Sequence, residues 1–153
     1  NASHEWQFML HDVQRTLMVV MSHVATPSSV RHLNPNVLPD DLAAQCESWI
    51  DAMTLLMADG EGYFILPGGT EISALCHQAR VAARRAERRL CTLNKLDALP
   101  AQIMSYVNRL SDLFFTMARF DLHLTGASEE RWQAFGYKRK RREDVAENRG
   151  EGN

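Results

Sequence analysis

A chain of 153 residues, 45% of them apolar, is long enough to bury one core, and its 17 basic and 19 acidic side chains leave a net charge of −2, which excludes wholesale attraction to nucleic acid or an anionic membrane surface. Cys46, Cys76 and Cys91 are odd in number and widely spaced, with no Cys-x-x-Cys and no Cys/His cluster at zinc spacing, so neither a disulfide framework nor a structural metal site is implied and a reducing cytoplasm fits. No apolar run approaches the roughly 18 residues of a membrane span, and the opening residues lack the order of a signal peptide, so the chain reads as soluble.

In chain order the elements read as helices. From about His4 to Ala25, Met9, Val13, Leu17, Val20 and Val24 recur at spacings of three and four, which predicts an amphipathic helix with Ser3 as its cap. Thr26 to Val37, rich in Pro, Ser and Asn, has no period and reads as a mobile loop. A second helix is predicted to start near Pro39-Asp40-Asp41, turn Leu42, Cys46, Trp49, Ile50, Met53 and Leu56 inward, and end before Asp59. Tyr63 to Gly69 is too short for a helix and closes on Pro67-Gly68-Gly69, so it reads as a rigid apolar loop. Thr70 is then placed to cap a long helix over Ile72 to Leu93, with Leu75, Ala79, Ala82, Ala86, Leu90 and Leu93 as its apolar stripe.

After a link through Asp97 and Pro100, the last long helix runs from Ala101 to about Leu124. Ile103, Val107, Leu110, Phe114 and Met117 form its core face; Asn108, Asp112, Phe115 and Arg119 form a second face. The tail holds Trp132, Phe135, Tyr137 and the basic run Lys138 to Arg142. Its last ten or so residues are expected to be disordered, a solvated reading preferred to a nucleic-acid grip or a nuclear-localisation run. No strand alternation and no repeat is found. The expected architecture is all-α, an up-and-down helical bundle with about four long helices over residues 1–127, followed by an aromatic and basic tail over 128–153.

The long helix before the link carries the densest charge. Arg80, Arg84 and Arg88 follow at i, i+4 and i+8, with His77 a turn earlier and Glu87 beside the row. Like charges so spaced repel, which points to a polyanion such as a phosphate chain; a solvated basic face with Glu87 as internal partner is the alternative, and both stay open on these residues alone. Gly-rich phosphate cradles, Gly-x-Ser-x-Gly and His-Glu-x-x-His are absent, so any phosphate site must be built from side chains. His77 is a candidate functional group or a structural hydrogen-bonder, and Phe64 would by default be a core residue.

Phe64-Ile65-Leu66-Pro67-Gly68-Gly69, His77-Gln78-Ala79-Arg80, Arg84-Arg85-Ala86-Glu87-Arg88 and Tyr106-Val107-Asn108-Arg109-Leu110-Ser111-Asp112-Leu113-Phe114, with Ala118-Arg119 after them, resemble the signature blocks of the PduO-type cobalamin adenosyltransferases, in that family's order from about Tyr63 to Phe120. The resemblance implies a homotrimer of helical bundles, normally five-helical, with active sites between subunits, and an electron-donating flavoprotein or other reductase as partner. It also implies a reaction: cob(I)alamin attacks the 5′-carbon of ATP, with magnesium on the phosphates, giving adenosylcobalamin and triphosphate. No nucleic acid and no membrane takes part, and no metal is held by side chains of the chain itself.

By this resemblance Phe64, Arg80 and Arg84 are catalytic. Arg84, Glu87, Arg88, Asn108 and Arg109 bind ATP, and Phe64, Asp112 and Phe115 bind the corrinoid. Phe64 would exclude the lower axial ligand of cobalt, and Arg80 would pair with an aspartate from a neighbouring subunit. Cys76 stands where the family commonly has leucine and is expected only to pack. The family's opening Thr/Lys/Gly-rich segment and first helix have no counterpart in the sequence, so the chain is expected to begin at the family's second helix. That leaves a non-catalytic corrinoid-binding or protein-interaction module as the alternative function.

Overall fold

The computed structural model describes residues 2–57 and 64–132, with side chains from Trp6 onward. Expectations for Asp59, Tyr63, Phe135, Tyr137 and Lys138 to Arg142 lie outside the described residues. Among the described residues there are four α-helices, α1 (Ala2–Ala25), α2 (Ala44–Met57), α3 (Glu71–Asn94) and α4 (Ala101–Thr125), with a short 3-10 turn at Arg31–Leu33. The all-α bundle holds.

The apolar period of α4 explains its central place. Ile103, Tyr106, Val107, Leu110, Leu113, Met117 and Ala118 are all at most 3% exposed, and they form one cluster with Met9, Val13 and Val20 of α1 and Cys46 and Met53 of α2. Thr70, ahead of α3, bonds Asp121 near the end of α4, while Glu87 meets Asn108 further back, so the two helices run antiparallel. Asp40, ahead of α2, accepts from Gln102, and Glu47 pairs with Arg109, so α2 runs parallel to α4.

The helix ends follow local chemistry. Thr70 caps α3 as expected, its hydroxyl accepting from Ser73 N–H at 3.0 Å while donating to the buried Asp121 carboxylate. Gly126, at φ 68°, closes α4: its N–H reaches His123 C=O, and Ala127 N–H reaches Leu122 C=O at 2.9 Å, the paired bonds of a Schellman end.

Several expectations are corrected. Leu75 is 54% exposed, and Ala82 and Ala86 are exposed, so half of the stripe assigned to α3 lies off its packed face, while Ala79, Leu90 and Leu93 are half-buried. The face against α4 lies one residue on, a rotation of roughly 100°. It consists of the buried Ser73, Cys76, His77 and Ala83 with the half-buried Arg80, Glu87 and Leu90. Small and polar residues can pack there because α4 supplies Asn108 and Phe115 as partners. Leu56 is 63% exposed rather than inward, and the helix proper begins at Ala44, after a turn, rather than near Pro39.

The loop expected to be mobile is pinned. Arg31 donates to His23 C=O at 3.0 Å and to Ala98 C=O, and it pairs with Asp97 at 3.3 Å; His23 Nε2 donates to Asn36 C=O at 2.6 Å. Ser28 N–H also bonds Asp97, and with Arg31 nearby this holds the Asp97 carboxyl below its usual range. One strand pair exists where none was expected: β1 (Phe64–Ile65) lies antiparallel to β2 (Arg131–Trp132), pairing Phe64 with Trp132 and Ile65 with Arg131. Its two halves are far apart in the chain, so neither has a local signal.

Candidate functional site on the polar faces of α3 and α4

The site is built on α4, whose Asn108, Asp112, Phe115 and Arg119 recur at four, three and four and are all half-buried. On the adjoining face of α3, Glu87 is the hinge of a polar chain. Asn108 Nδ2 donates to Glu87 Oε1 at 2.8 Å, and Arg84 Nη1 pairs with Glu87 Oε2 at 3.1 Å. One carboxylate thus engages both, fixing the amide and holding one edge of the guanidinium.

Arg84 itself remains 52% exposed, so the pair contributes only about 0.3–0.5 kcal/mol to the helix. Its worth lies in orientation. Arg88 stands exposed one turn on. Together the two guanidiniums present forked donors to solvent, the geometry that suits phosphate oxygens.

Nearer the start of α3 the contacts turn aromatic. The Arg80 guanidinium carbon sits 4.6 Å from the centroid of the Phe115 ring, and His77 meets the same ring edge-on at 6.2 Å. Burial lowers the His77 pKa, and the Arg80 charge lowers it further, so the imidazole is neutral near pH 7. Cys76, buried beside it, is pushed up to about 11 by burial, with Asp121 adding to the shift; as a thiol it packs and is no nucleophile.

Of the residues expected to bind ATP, Arg84, Glu87 and Asn108 form one connected group and Arg88 flanks it. Arg109 turns elsewhere: it pairs with Glu47 of α2 at 3.3 Å and with Asp112 at 3.1 Å. Asp112 therefore serves as partner to Arg109. Phe64 is 73% exposed, so the default reading of it as a core residue fails. It stands near the turn where α4 ends, on a loop whose Gly69 is held at φ 93° with a Cβ position only 2.6 Å from Leu122 Cδ2.

Sequence reasoning missed two linkages. Arg119 donates to Glu129 from Nε at 2.7 Å and from Nη2 at 3.3 Å, and Thr70 ties α3 to Asp121; neither Glu129 nor Asp121 had a spacing to mark it. Among the described residues no group of three or more His, Cys, Asp or Glu is placed to hold a metal ion, and no helix is long and apolar enough to cross a membrane.

Comparison with known proteins gives a consistent picture. The family model described as cobalamin adenosyltransferase matches residues 1–121. Corrinoid adenosyltransferase MMAB of Homo sapiens is 37% identical over 130 residues, covering 83% of this chain and 52% of the relative. A corrinoid adenosyltransferase of Bacillus subtilis is 42% identical over 82 residues, covering 54% of this chain and 42% of the relative.

Among solved structures, a phenylalanine-to-alanine variant of the PduO-type ATP:corrinoid adenosyltransferase from Lactobacillus reuteri, complexed with cobalamin and ATP, superimposes with a TM-score of 0.75 at 28% identity, over 82% of this chain and 68% of that one. An arginine-to-lysine variant of the same enzyme, complexed with ATP, gives 0.77 at 27% identity over 87% and 74%. The chain spans about half the length of the curated relatives it matches, 52% for the human protein. With four-fifths of its residues inside the family match, the chain belongs to the cobalamin adenosyltransferase family.

Proposed function

We propose that the chain transfers the 5′-deoxyadenosyl group of ATP to cob(I)alamin, giving adenosylcobalamin and triphosphate. The observation that carries this reading is the Arg84–Glu87–Asn108 chain, which holds a half-exposed guanidinium in a fixed direction beside Arg88. A forked cation pair of this kind neutralises the charge that accumulates on a leaving triphosphate. As a cobalt–carbon bond forms at C5′, the C5′–O bond breaks and its electron pair leaves on the triphosphate oxygen. No proton need move, so the arginines serve the step through charge alone.

On this reading Phe64 supplies apolar surface beneath the corrin plane and excludes water and the lower axial ligand of the substrate cobalt. Arg80, stacked on Phe115, orders the wall between the nucleotide and corrinoid ends. Asp112 and Phe115 line the corrinoid side, with Arg109 holding Asp112. Magnesium would enter as a companion of the ATP phosphates, adding to the charge neutralisation that Arg84 and Arg88 supply.

A homotrimer with sites between subunits would cover apolar residues that stand exposed on the single chain, among them Leu75 and Val81. The free Cys46, Cys76 and Cys91 suit the cytoplasm, and a flavoprotein or other reductase would supply the cobalt electrons.

The test is to mix the chain with ATP, magnesium and cobalamin under strong reductant, follow the absorption spectrum and measure triphosphate. Adenosylcobalamin and triphosphate in equal amounts are expected. A bound four-coordinate cobalt(II) spectrum with no adenosylcobalamin would overturn catalysis and leave a corrinoid-binding module.

A further inference from the structure

Phe64 is 73% exposed, so core packing does not fix its ring. Its backbone is held instead by the two-residue pair with Trp132 and Arg131, extended by Leu66 N–H to Glu130 C=O at 2.8 Å. A ladder this short is not stable by itself. Its outer strand is anchored to α4 at two points. The Schellman end at Gly126 turns the chain back, and Glu129 takes both donors of Arg119, at 2.7 and 3.3 Å, with the two side chains only 13% and 15% exposed. Gly69, on the other side of β1, is seated on Leu122, one turn of α4 away from the same end. Directly opposed residues of an antiparallel pair share a face, so Trp132, 47% exposed, stands beside Phe64.

We propose that Ala127–Trp132 is a strap that positions Phe64, with Glu129 and Arg119 as positioning residues and Trp132 as a second aromatic wall on the corrinoid side. This rests on the assignment of Phe64 to the corrinoid. The strap sets where the ring stands, and the Arg119–Glu129 pair sets where the strap stands. The pair is remote from Arg84, Glu87 and Asn108, so loosening it acts on cobalt coordination and spares ATP.

The experiment compares Glu129→Gln and Trp132→Ala with Phe64→Ala in the full chain. Three quantities are read: amide exchange at Leu66, the fraction of cobalt(II)alamin converted to the four-coordinate form with ATP present, and ATP affinity. Glu129→Gln is expected to speed Leu66 exchange about tenfold and to lower the four-coordinate fraction severalfold, with ATP affinity and helical circular dichroism unchanged. Trp132→Ala, which keeps the anchor, is expected to lower the four-coordinate fraction with a smaller change in exchange.

Unaltered Leu66 exchange in Glu129→Gln would overturn the strap. So would faster exchange with an unaltered cobalt spectrum, provided Phe64→Ala does change that spectrum. If Phe64→Ala itself leaves the spectrum unchanged, the assignment of Phe64 falls, and the strap is judged on Leu66 exchange alone.

Discussion

Along one side of α4, Ile103, Leu110, Leu113 and Met117 are sealed at 3% exposure or less; along the other, Asn108, Asp112, Phe115 and Arg119 stay half-buried, each engaged by a residue of another turn or element. The first side gains its energy from apolar area removed from water and needs no particular partner. The second consists of specific pairs, some of them open to solvent, as Asp112 with Arg109 is at 50% and 39% side-chain exposure, so a ligand can add to them. One helix thus separates stability from chemistry by about half a turn, and substitutions on its two sides should fail in different ways.

The largest effect belongs to the sealed side. Leu113→Ala, at 0% exposure, should cost about 2–5 kcal/mol in urea unfolding. A loss below about 1 kcal/mol would mean that this side is not the core. Next comes the point where the two regimes meet. Thr70→Ala removes the α3 cap and the hydroxyl donor to buried Asp121, and should cost about 1–2 kcal/mol, with Thr70→Ser restoring most of it. If serine and alanine behave alike, the Thr70–Asp121 tie does not join the helices.

The smallest effect is a pH dependence at His77. Its pKa is lowered in the folded chain, so the unfolded chain binds more protons as pH falls through the ordinary imidazole value. The stability it contributes is present above about pH 6.5 and is lost as pH falls through the lower folded value. Thermal melts between pH 7 and 5 should therefore decline more steeply for this chain than for His77→Gln. Equal slopes would show that the ring is not held neutral by its surroundings.

The parts of this organisation visible in the sequence are those where one face is wholly apolar. Met9, Val13 and Val20 of α1, and Ile103, Leu110 and Met117 of α4, announce themselves by period because the apolar residues on that face are buried, with Leu17, Val24 and Phe114 half-buried beside them. α3 misleads for the opposite reason. Its packed face is Ser73, Cys76, His77 and Ala83, while Leu75 and Val81 stay exposed, and only the partners on α4 decide which side turns inward. Arg31–Asp97, Arg119–Glu129 and the β1–β2 pair join segments with no shared spacing, so no local rule could find them. Family resemblance singles out Arg84, Glu87 and Asn108; periodicity alone leaves the arginine row open between a solvated face and a phosphate site.

The most direct test of that row is Arg84→Ala, with ATP affinity by calorimetry and thermal stability measured on the same protein. Arg84 is 52% exposed and its pair with Glu87 lies within one helix, so the melting temperature should move by no more than about 2 °C, while ATP affinity falls at least about tenfold. Unchanged ATP affinity, or unfolding in its place, would contradict the account, because the row would then be a support of the bundle and not its phosphate site.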